Sequence, residues 1–400
     1  MQRNTVKLLL PVVAITIQNN SASTIIPPYL QDLHISVAAL GTLISLNPVL
    51  ALISRLPVGM TYDRRRARLL ISIAVLVMGI SNFFYSFATD SLTFAIVQSI
   101  NGFAYGAVTT LYLAFFVDSL PPEENRNHAM GYYVGTLALG YSTGNFFGGL
   151  MADYYGYGIT FQAAGFLSLI PCVLLWLFRG ESAPVESKAK LETRTRLMSR
   201  ESWKALLEPE LAVVVITALF LNLLHQMGGV FITLYGLAVG MTLTQIGVVR
   251  AAFAGCNAIT RPISGHVVNR FGHRRLSYAG IPLQSAILML IPLFTGFGAI
   301  LTVYVMSGFM RAVVIVANAV GLVQDVDQNK VRRGLASGIY NAAGDLGNIL
   351  GPTIGGLIAQ ATGIASVFVV GSLGTTILFL FGILLARRLS NHAAARVEAS

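Results

Sequence analysis

This chain is short of charge. Only 11% of its 400 residues are Asp, Glu, Lys or Arg, too few to cover a water-soluble domain of this length. Acids are the scarcer sign, with 17 Asp and Glu against 27 Lys and Arg. The two cysteines, Cys172 and Cys256, lie inside apolar runs and build no disulfide framework. A phosphate-binding glycine loop followed by Lys-Ser or Lys-Thr is missing, which argues against a nucleotide-driven pump. No clustered metal ligands and no nucleophile–base spacing point to an enzyme, and no metal or cofactor is expected. What the chain has in abundance is long apolar runs, giving a mean hydropathy of +0.68.

A hydrocarbon core of about 30 Å takes roughly 20 apolar residues to cross as a helix. Twelve such stretches occur, near 6–28, 36–58, 69–89, 92–117, 128–151, 158–178, 211–235, 243–264, 276–297, 299–323, 334–358 and 364–386. The formal charge of +10 is not a nucleic-acid footprint, because of where it falls. All Lys and Arg except Arg55, Arg250, Arg261 and Arg311 lie in the termini and in the loops after stretches 2, 4, 6, 8 and 10. That asymmetry predicts a multi-pass protein of the plasma membrane, a bacterial inner membrane, with both termini cytoplasmic. Residues 180–209 form the one long hydrophilic stretch and read as a cytoplasmic linker. It divides two six-helix halves, 1–179 and 210–400. Arg3, Lys7, the apolar run from Leu8 and Ser21-Ala22-Ser23 look like a secretory signal. The first segment nevertheless belongs to an internal repeat, so it is expected to stay.

The repeat centres on Gly59-Met60-Thr61-Tyr62-Asp63-Arg64-Arg65-Arg66-Ala67-Arg68. It returns as Gly265-His266-Val267-Val268-Asn269-Arg270-Phe271-Gly272-His273-Arg274-Arg275, an offset of 206 residues. Arg55 matches Arg261, Gly41 matches Gly247, Tyr29 matches Tyr235 and Gly102 matches Gly308 at the same offset. Further on, Gly140-x-x-x-Gly144-Asn145-x-x-Gly148-Gly149 returns at an offset of 207 as Gly347-x-x-x-Gly351-Pro352-x-x-Gly355-Gly356. Glycines at i, i+4 and i+8 form a smooth ridge for close helix packing.

The pattern G-x-x-x-D-R-x-G-R-R resembles the cytoplasmic signature of the major facilitator superfamily, and the chain is similar to bacterial drug- and arabinose-efflux-type members with twelve helices. The first copy has Arg66 and Ala67 where Gly and Arg are usual. The second has Asn269 for the Asp but keeps Arg270, Phe271, Gly272 and Arg274. The resemblance implies an all-α membrane protein of twelve transmembrane helices in two parallel-repeat six-helix bundles, with a midplane site between them. It also implies a gate at the signature loops, of Gly59, Asp63, Arg64, Arg68, Asn269 and Arg270. Asp63 would face the start of helix 11, and Arg68 an acid ending helix 4, for which Asp118 is placed. The glycine pattern of helix 11 resembles one that antiporters of the superfamily carry in helix 5, and Gln98 stands where proton-coupled members often have an arginine.

Polar residues deep in apolar helices are costly and mark a pathway, a proton site or a structural pair. Asn19 and Asn20 in helix 1, Tyr105 in helix 4, Gln226 in helix 7, and Asn341 and Asn348 in helix 11 are candidate substrate contacts. Arg250 in helix 8 and Arg311 in helix 10 would favour an anionic group. Arg55 and Arg261, about one turn from helix ends, are explained by snorkelling. Asp345 is the one carboxylate near a midplane. It is either half of a permanent ion pair, with Arg311 as partner, or a group that titrates during transport. His225 is the second proton-carrier candidate, with a hydrogen-bonded core role as its alternative.

The leading function is secondary active transport by alternating access, a proton-coupled export of a small organic, anionic or amphiphilic compound. A proton-coupled uptake symporter is the alternative, and a nontransporting membrane sensor the third. Small molecule, protons and lipid bilayer are the expected partners, nucleic acid is not, and a monomer is expected. The topology has a direct test. Cysteines introduced at Ser187 and Thr89 should react with impermeant maleimide from opposite sides of the membrane. Labelling of both from outside would refute it.

Overall fold

The computed structural model of the protein describes residues 3–120, 126–177, 209–324 and 330–398. The linker expected at 180–209 lies outside them apart from Pro209. Among the described residues, helices are the only regular structure. In the N-terminal half these are α1 (Arg3–Asp32), α2 (Val37–Thr61), α3 (Ala67–Phe84), α4 (Ser91–Asp118), α5 (Arg126–Leu167) and α6 (Leu169–Leu177). In the C-terminal half they are α7 (Pro209–Ala238), α8 (Leu243–Phe271), α9 (His273–Met289), α10 (Phe297–Gln324), α11 (Lys330–Thr362) and α12 (Ser372–Glu398). A short helical turn, Ile364–Ser366, and a π turn, Val367–Gly371, lead into α12.

The fifth and sixth expected spans are joined without a loop. α5 contains the fifth and the start of the sixth, broken at Gly156, whose φ of 80° and ψ of 171° are not helical. Gly363, its counterpart in the repeat, has a φ of 95°. This backbone suits only glycine, which explains both residues. Other boundaries come from side-chain caps. Asp90 accepts hydrogen bonds from Leu92 N (2.9 Å) and Thr93 N (3.0 Å) at the start of α4, and Thr242 and Gln245 form a reciprocal capping box at α8. The Thr93 hydroxyl, then the two amides, hold the Asp90 carboxyl below its ordinary value. This cap therefore persists at neutral pH and is lost as pH falls through that lowered value.

The duplication is realised contact by contact. α1 packs on α5 as α7 packs on α11, and α2 on α4 as α8 on α10. The Tyr29 hydroxyl donates to the Ala88 carbonyl at 2.9 Å, and Tyr235 donates to Phe294 at the same distance. Both the donor and the acceptor are 206 residues apart in the two copies. Gly144 lies against the Ile17 carbonyl and Gly351 against that of Leu223, so the glycine ridges seat α5 and α11 on equivalent helices.

The halves meet through α2 with α11 and through α5 with α8. We call the end carrying residues 62–66 and Gly272 the basic end, and the other the distal end. Toward the distal end the backbones touch. Gly41 abuts Pro352 and Gly356, and Gly149 abuts Leu243 and Gly247. Ser45 Oγ donates to the Ile349 carbonyl (2.7 Å), Ser142 Oγ to Ala251 (2.9 Å), and Thr244 Oγ1 to Asp153 (2.6 Å). Toward the basic end this contact is lost. A Cβ on Gly59 would meet only Thr110 of its own half, and one on Gly265 would meet nothing within 4 Å. The halves are thus in backbone contact toward the distal end, while the glycines near the basic end, Gly59 and Gly265, make no such contact across the halves.

A methyl group at Gly41 would run into the Pro352 carbonyl oxygen, and neither backbone can yield. Such overpacking costs about 1–3 kcal/mol, enough to move a two-conformer ratio roughly 5- to 150-fold. Gly41→Ala should therefore lengthen spin-label distances between the distal ends of α2 and α11. Gly265→Ala should leave them unchanged.

Candidate functional site

Each half contributes a different chemistry to the space between them. In the N-terminal half, a cleft lies among α1, α4 and α5. Tyr105, Tyr112, Tyr133 and Tyr141 supply its aromatic wall, and Asn19, Asn20, Thr16 and Thr109 its polar edge. Asn20 Nδ2 is tied to the Thr16 carbonyl at 2.8 Å. Of the expected contacts, Asn19, Asn20 and Tyr105 thus gather in one cavity. Tyr112, Tyr133 and Tyr141 escaped the sequence reading, because a tyrosine in an apolar helix carries no mark of which way it faces.

The C-terminal half supplies positive charge. Arg311 is 8% exposed and donates through Nη1 to the Leu221 carbonyl (2.7 Å) and through Nη2 to Asn222 Oδ1 (2.9 Å). Arg250 Nη1 donates to the Gly229 carbonyl (3.0 Å) and to Thr233 Oγ1 (3.3 Å). Both therefore have partners within their own half, drawn from main-chain carbonyls and neutral side chains. Arg261 Nε donates to Asn257 Oδ1 at 3.2 Å, one turn back on the same helix. His225 stacks on Phe253, with centroids 5.3 Å apart and planes 12° from parallel, and its buried Nδ1 has no hydrogen-bond partner among the described residues. All three arginines lie within electrostatic reach of it. Gln226 packs its Cβ against Gly351, while Asn341 is exposed and Asn348 half-buried along α11.

Asp345 corrects one expectation. Its partner is Arg55 of the opposite half, through Nη1 to Oδ2, and not Arg311. The pair joins α2 to α11. The Asp345 side chain is 14% exposed and that of Arg55 37%. Arg55 was explained by snorkelling from its nearness to a helix end. Instead it turns inward, because a carboxylate across the interface gives the guanidinium a charged acceptor that lipid lacks.

The signature loops sit at the basic end. Asp63 is exposed and accepts from its own loop, Arg65 N at 3.0 Å. The side chains at the start of α11 that it was expected to face lie outside the described residues. Asp118 accepts from the Tyr62 hydroxyl at 2.8 Å. Burial, then that carboxylate, pushes the Tyr62 hydroxyl above its ordinary value, so it stays a donor. Arg68 lies 5.8 Å over the Phe115 ring, one turn before Asp118. Arg64 is half-buried, and Asn269 and Arg270 are exposed. Gln98 accepts from the buried Tyr85 hydroxyl and donates to the Ile44 carbonyl, so it braces α2 and the end of α3.

Comparison with known proteins agrees with the duplicated architecture. The chain is 22% identical to an uncharacterized MFS-type transporter of Methanocaldococcus jannaschii, over 85% of this chain and 87% of the relative. It is 24% identical to multidrug resistance protein 1 of Bacillus subtilis, over 83% of each. The crystal structure of the nucleoside transporter NupG superposes with a TM-score of 0.80 at 14% identity, covering 96% of this chain and 99% of that one. The family model described as Major Facilitator Superfamily matches residues 8–331 and 229–399. Two six-helix repeats meeting at α2–α11 and α5–α8 are thus joined by sequence kinship over the same length: the chain belongs to the major facilitator superfamily.

Proposed function

We propose that this transporter is a proton-coupled exporter of a small organic compound, with Asp345 as its coupling residue. The observation that carries the reading is the Arg55–Asp345 pair between the halves. A carboxylate in that position is a titratable group whose partner belongs to the other moving body. A proton on Asp345 removes the charge that holds Arg55. Any change in the angle between the halves alters the geometry of the same pair. By linkage, a conformational change that disturbs the pair must also change how readily Asp345 takes a proton. His225 would then be a neutral aromatic support for Phe253.

On the charge asymmetry of the loops, the basic end is cytoplasmic, and the lack of glycine-to-backbone contact between the halves there suits loading from the cytoplasm, as an exporter requires. Kinship with a multidrug resistance protein supports the outward direction. The division into halves at 1–179 and 210–400, with a cytoplasmic linker between, belongs to the same reading. So do a monomeric working unit and a bacterial inner membrane.

Asp345→Asn keeps the shape of the side chain and mimics a permanently protonated state. In proteoliposomes it should abolish accumulation driven by a pH gradient yet retain substrate counterflow. Accumulation at the wild-type rate would remove Asp345 from the coupling path. The joint variant Asp345→Asn with Arg55→Gln separates coupling from architecture. Recovery of gradient-driven accumulation in it would reduce the pair to a structural brace. Accumulation in everted but not right-side-out vesicles is the expected direction.

A further inference from the structure

The polarity of the two walls carries the substrate reading further. The cavity of the N-terminal half is lined by no ionisable acid or base other than tyrosine. Tyr105 and Tyr141 are half-buried and offer flat, polarisable faces, while Tyr112 and Tyr133 are buried in its wall, the Tyr112 hydroxyl donating to the Leu8 carbonyl at 2.7 Å. Among the described residues Asn19 makes no side-chain hydrogen bond, unlike Asn20. Such a surface suits a flat aromatic body, because ring–ring contacts in offset or edge-to-face geometry add about 0.5–1.5 kcal/mol beyond burial alone.

Opposite this cavity stands Arg261. It projects from α8 of the other half, within electrostatic reach of the Tyr141 hydroxyl that lines the cavity and of Tyr340 on α11. Arg250 and Arg311 donate through their terminal nitrogens to partners within their half. Arg261 differs: its one recorded bond, to Asn257, uses Nε, and among the described residues Nη1 and Nη2 have no hydrogen-bond acceptor. The carboxylate that could have balanced it, Asp345, is held by Arg55. A half-buried guanidinium whose two terminal nitrogens have no acceptor, and which has no carboxylate partner among the described residues, is a ready partner for a planar anion, which it can grip through paired hydrogen bonds.

We infer that the substrate is an aromatic organic anion, its ring in the tyrosine cavity of the N-terminal half and its carboxylate, or an equivalent anionic group, on Arg261 of the C-terminal half. The inference uses the transport reading above only in naming the bound molecule a substrate, and its geometry stands apart from Asp345. A ligand held in this way touches both halves at once and draws them together at the basic end. The sequence reading had assigned the anion to Arg250 and Arg311. Here those two shape the field, and Arg261 makes the contact.

Equilibrium binding to the detergent-purified, full-length protein tests this with three probes: 2-naphthoate, its neutral amide, and cyclohexanecarboxylate. The wild type should bind 2-naphthoate about 10- to 100-fold more tightly than the amide, the range for losing a hydrogen-bonded charge partner. Arg261→Gln should erase that difference by weakening the naphthoate alone, and Arg261→Lys should restore part of it. Tyr105→Ala should weaken naphthoate binding while leaving the already weaker cyclohexanecarboxylate unchanged. Equal binding of naphthoate and amide to the wild type would overturn the anion contact, as would an undiminished difference in Arg261→Gln. Equal binding of the aromatic and alicyclic acids would overturn the ring site. Absence of naphthoate binding at millimolar concentration would overturn the substrate class, while pH-gradient coupling through Asp345 could still stand in the transport assay. A variant counts only if it matches the wild type in gel-filtration profile and melting temperature.

Discussion

Backbone-to-backbone contact at two crossings holds this molecule in its present shape. Gly41 against Pro352 and Gly356, and Gly149 against Gly247, let helices from opposite halves approach until main-chain atoms touch. In a bilayer the hydrophobic effect does not press helices together, so dispersion contact at small residues must do it. The two crossings are related by the internal repeat, since 41 corresponds to 247 and 149 to 356. Closure is therefore symmetric, and neither half can pull away at one crossing without straining the other. The distal hydrogen bonds, Ser45 to Ile349 and Ser142 to Ala251, depend on that approach.

Within this symmetric frame the side chains have diverged. The N-terminal half keeps its interior neutral, with an amide network of Asn47, Asn82 and Asn101 behind the tyrosine wall. The C-terminal half encloses three arginines and anchors two of them on main-chain carbonyls, at Leu221 and Gly229. A charge in a low-dielectric interior needs hydrogen bonds to offset lost hydration. Carbonyls do this without neutralising it, so the positive potential survives. The carboxylate that might have cancelled it reaches the other half instead. Duplication supplied the scaffold, and asymmetric substitution gave the two faces different jobs.

Much of this was legible in the chain. The offset of 206 between Gly59 and Gly265 implied equivalent halves, and the equivalence extends to single hydrogen bonds, Tyr29 to Ala88 and Tyr235 to Phe294. Asn19, Asn20 and Tyr105 were recognisable as candidates because polar groups at such depth are expensive. Contacts between the halves were not legible. A linear pattern says which face of its own helix a residue occupies, but not what stands opposite, so Asp345 was matched to a deep arginine when its partner was the shallow Arg55. The same blindness applied to Arg261, whose nearness to a helix end offered a sufficient local explanation, whereas it stands within electrostatic reach of Tyr141 of the other half. The break at Gly156 falls in the gap expected between the fifth and sixth stretches, 128–151 and 158–178, but only its φ shows that a single glycine makes the turn.

The position of the crossings along their helices has a mechanical consequence. Gly41 lies near one end of α2 and Gly59 near the other, 18 residues apart, about 27 Å at the helical rise. α2 is thus a lever pinned by backbone contact close to its distal tip, with the Arg55–Asp345 pair tying its arm to α11. A tilt of about 10° about the pin displaces the far end by about 5 Å, the width of a small molecule's passage, while atoms at the pin barely slide. The arms carry the signature loops, so the residues that travel farthest are the ones lying at the water boundary. The gearing also makes the device unequally sensitive to wear. Bulk added at the tip is absorbed by open space, whereas a single methyl group at the pin is multiplied along the whole arm.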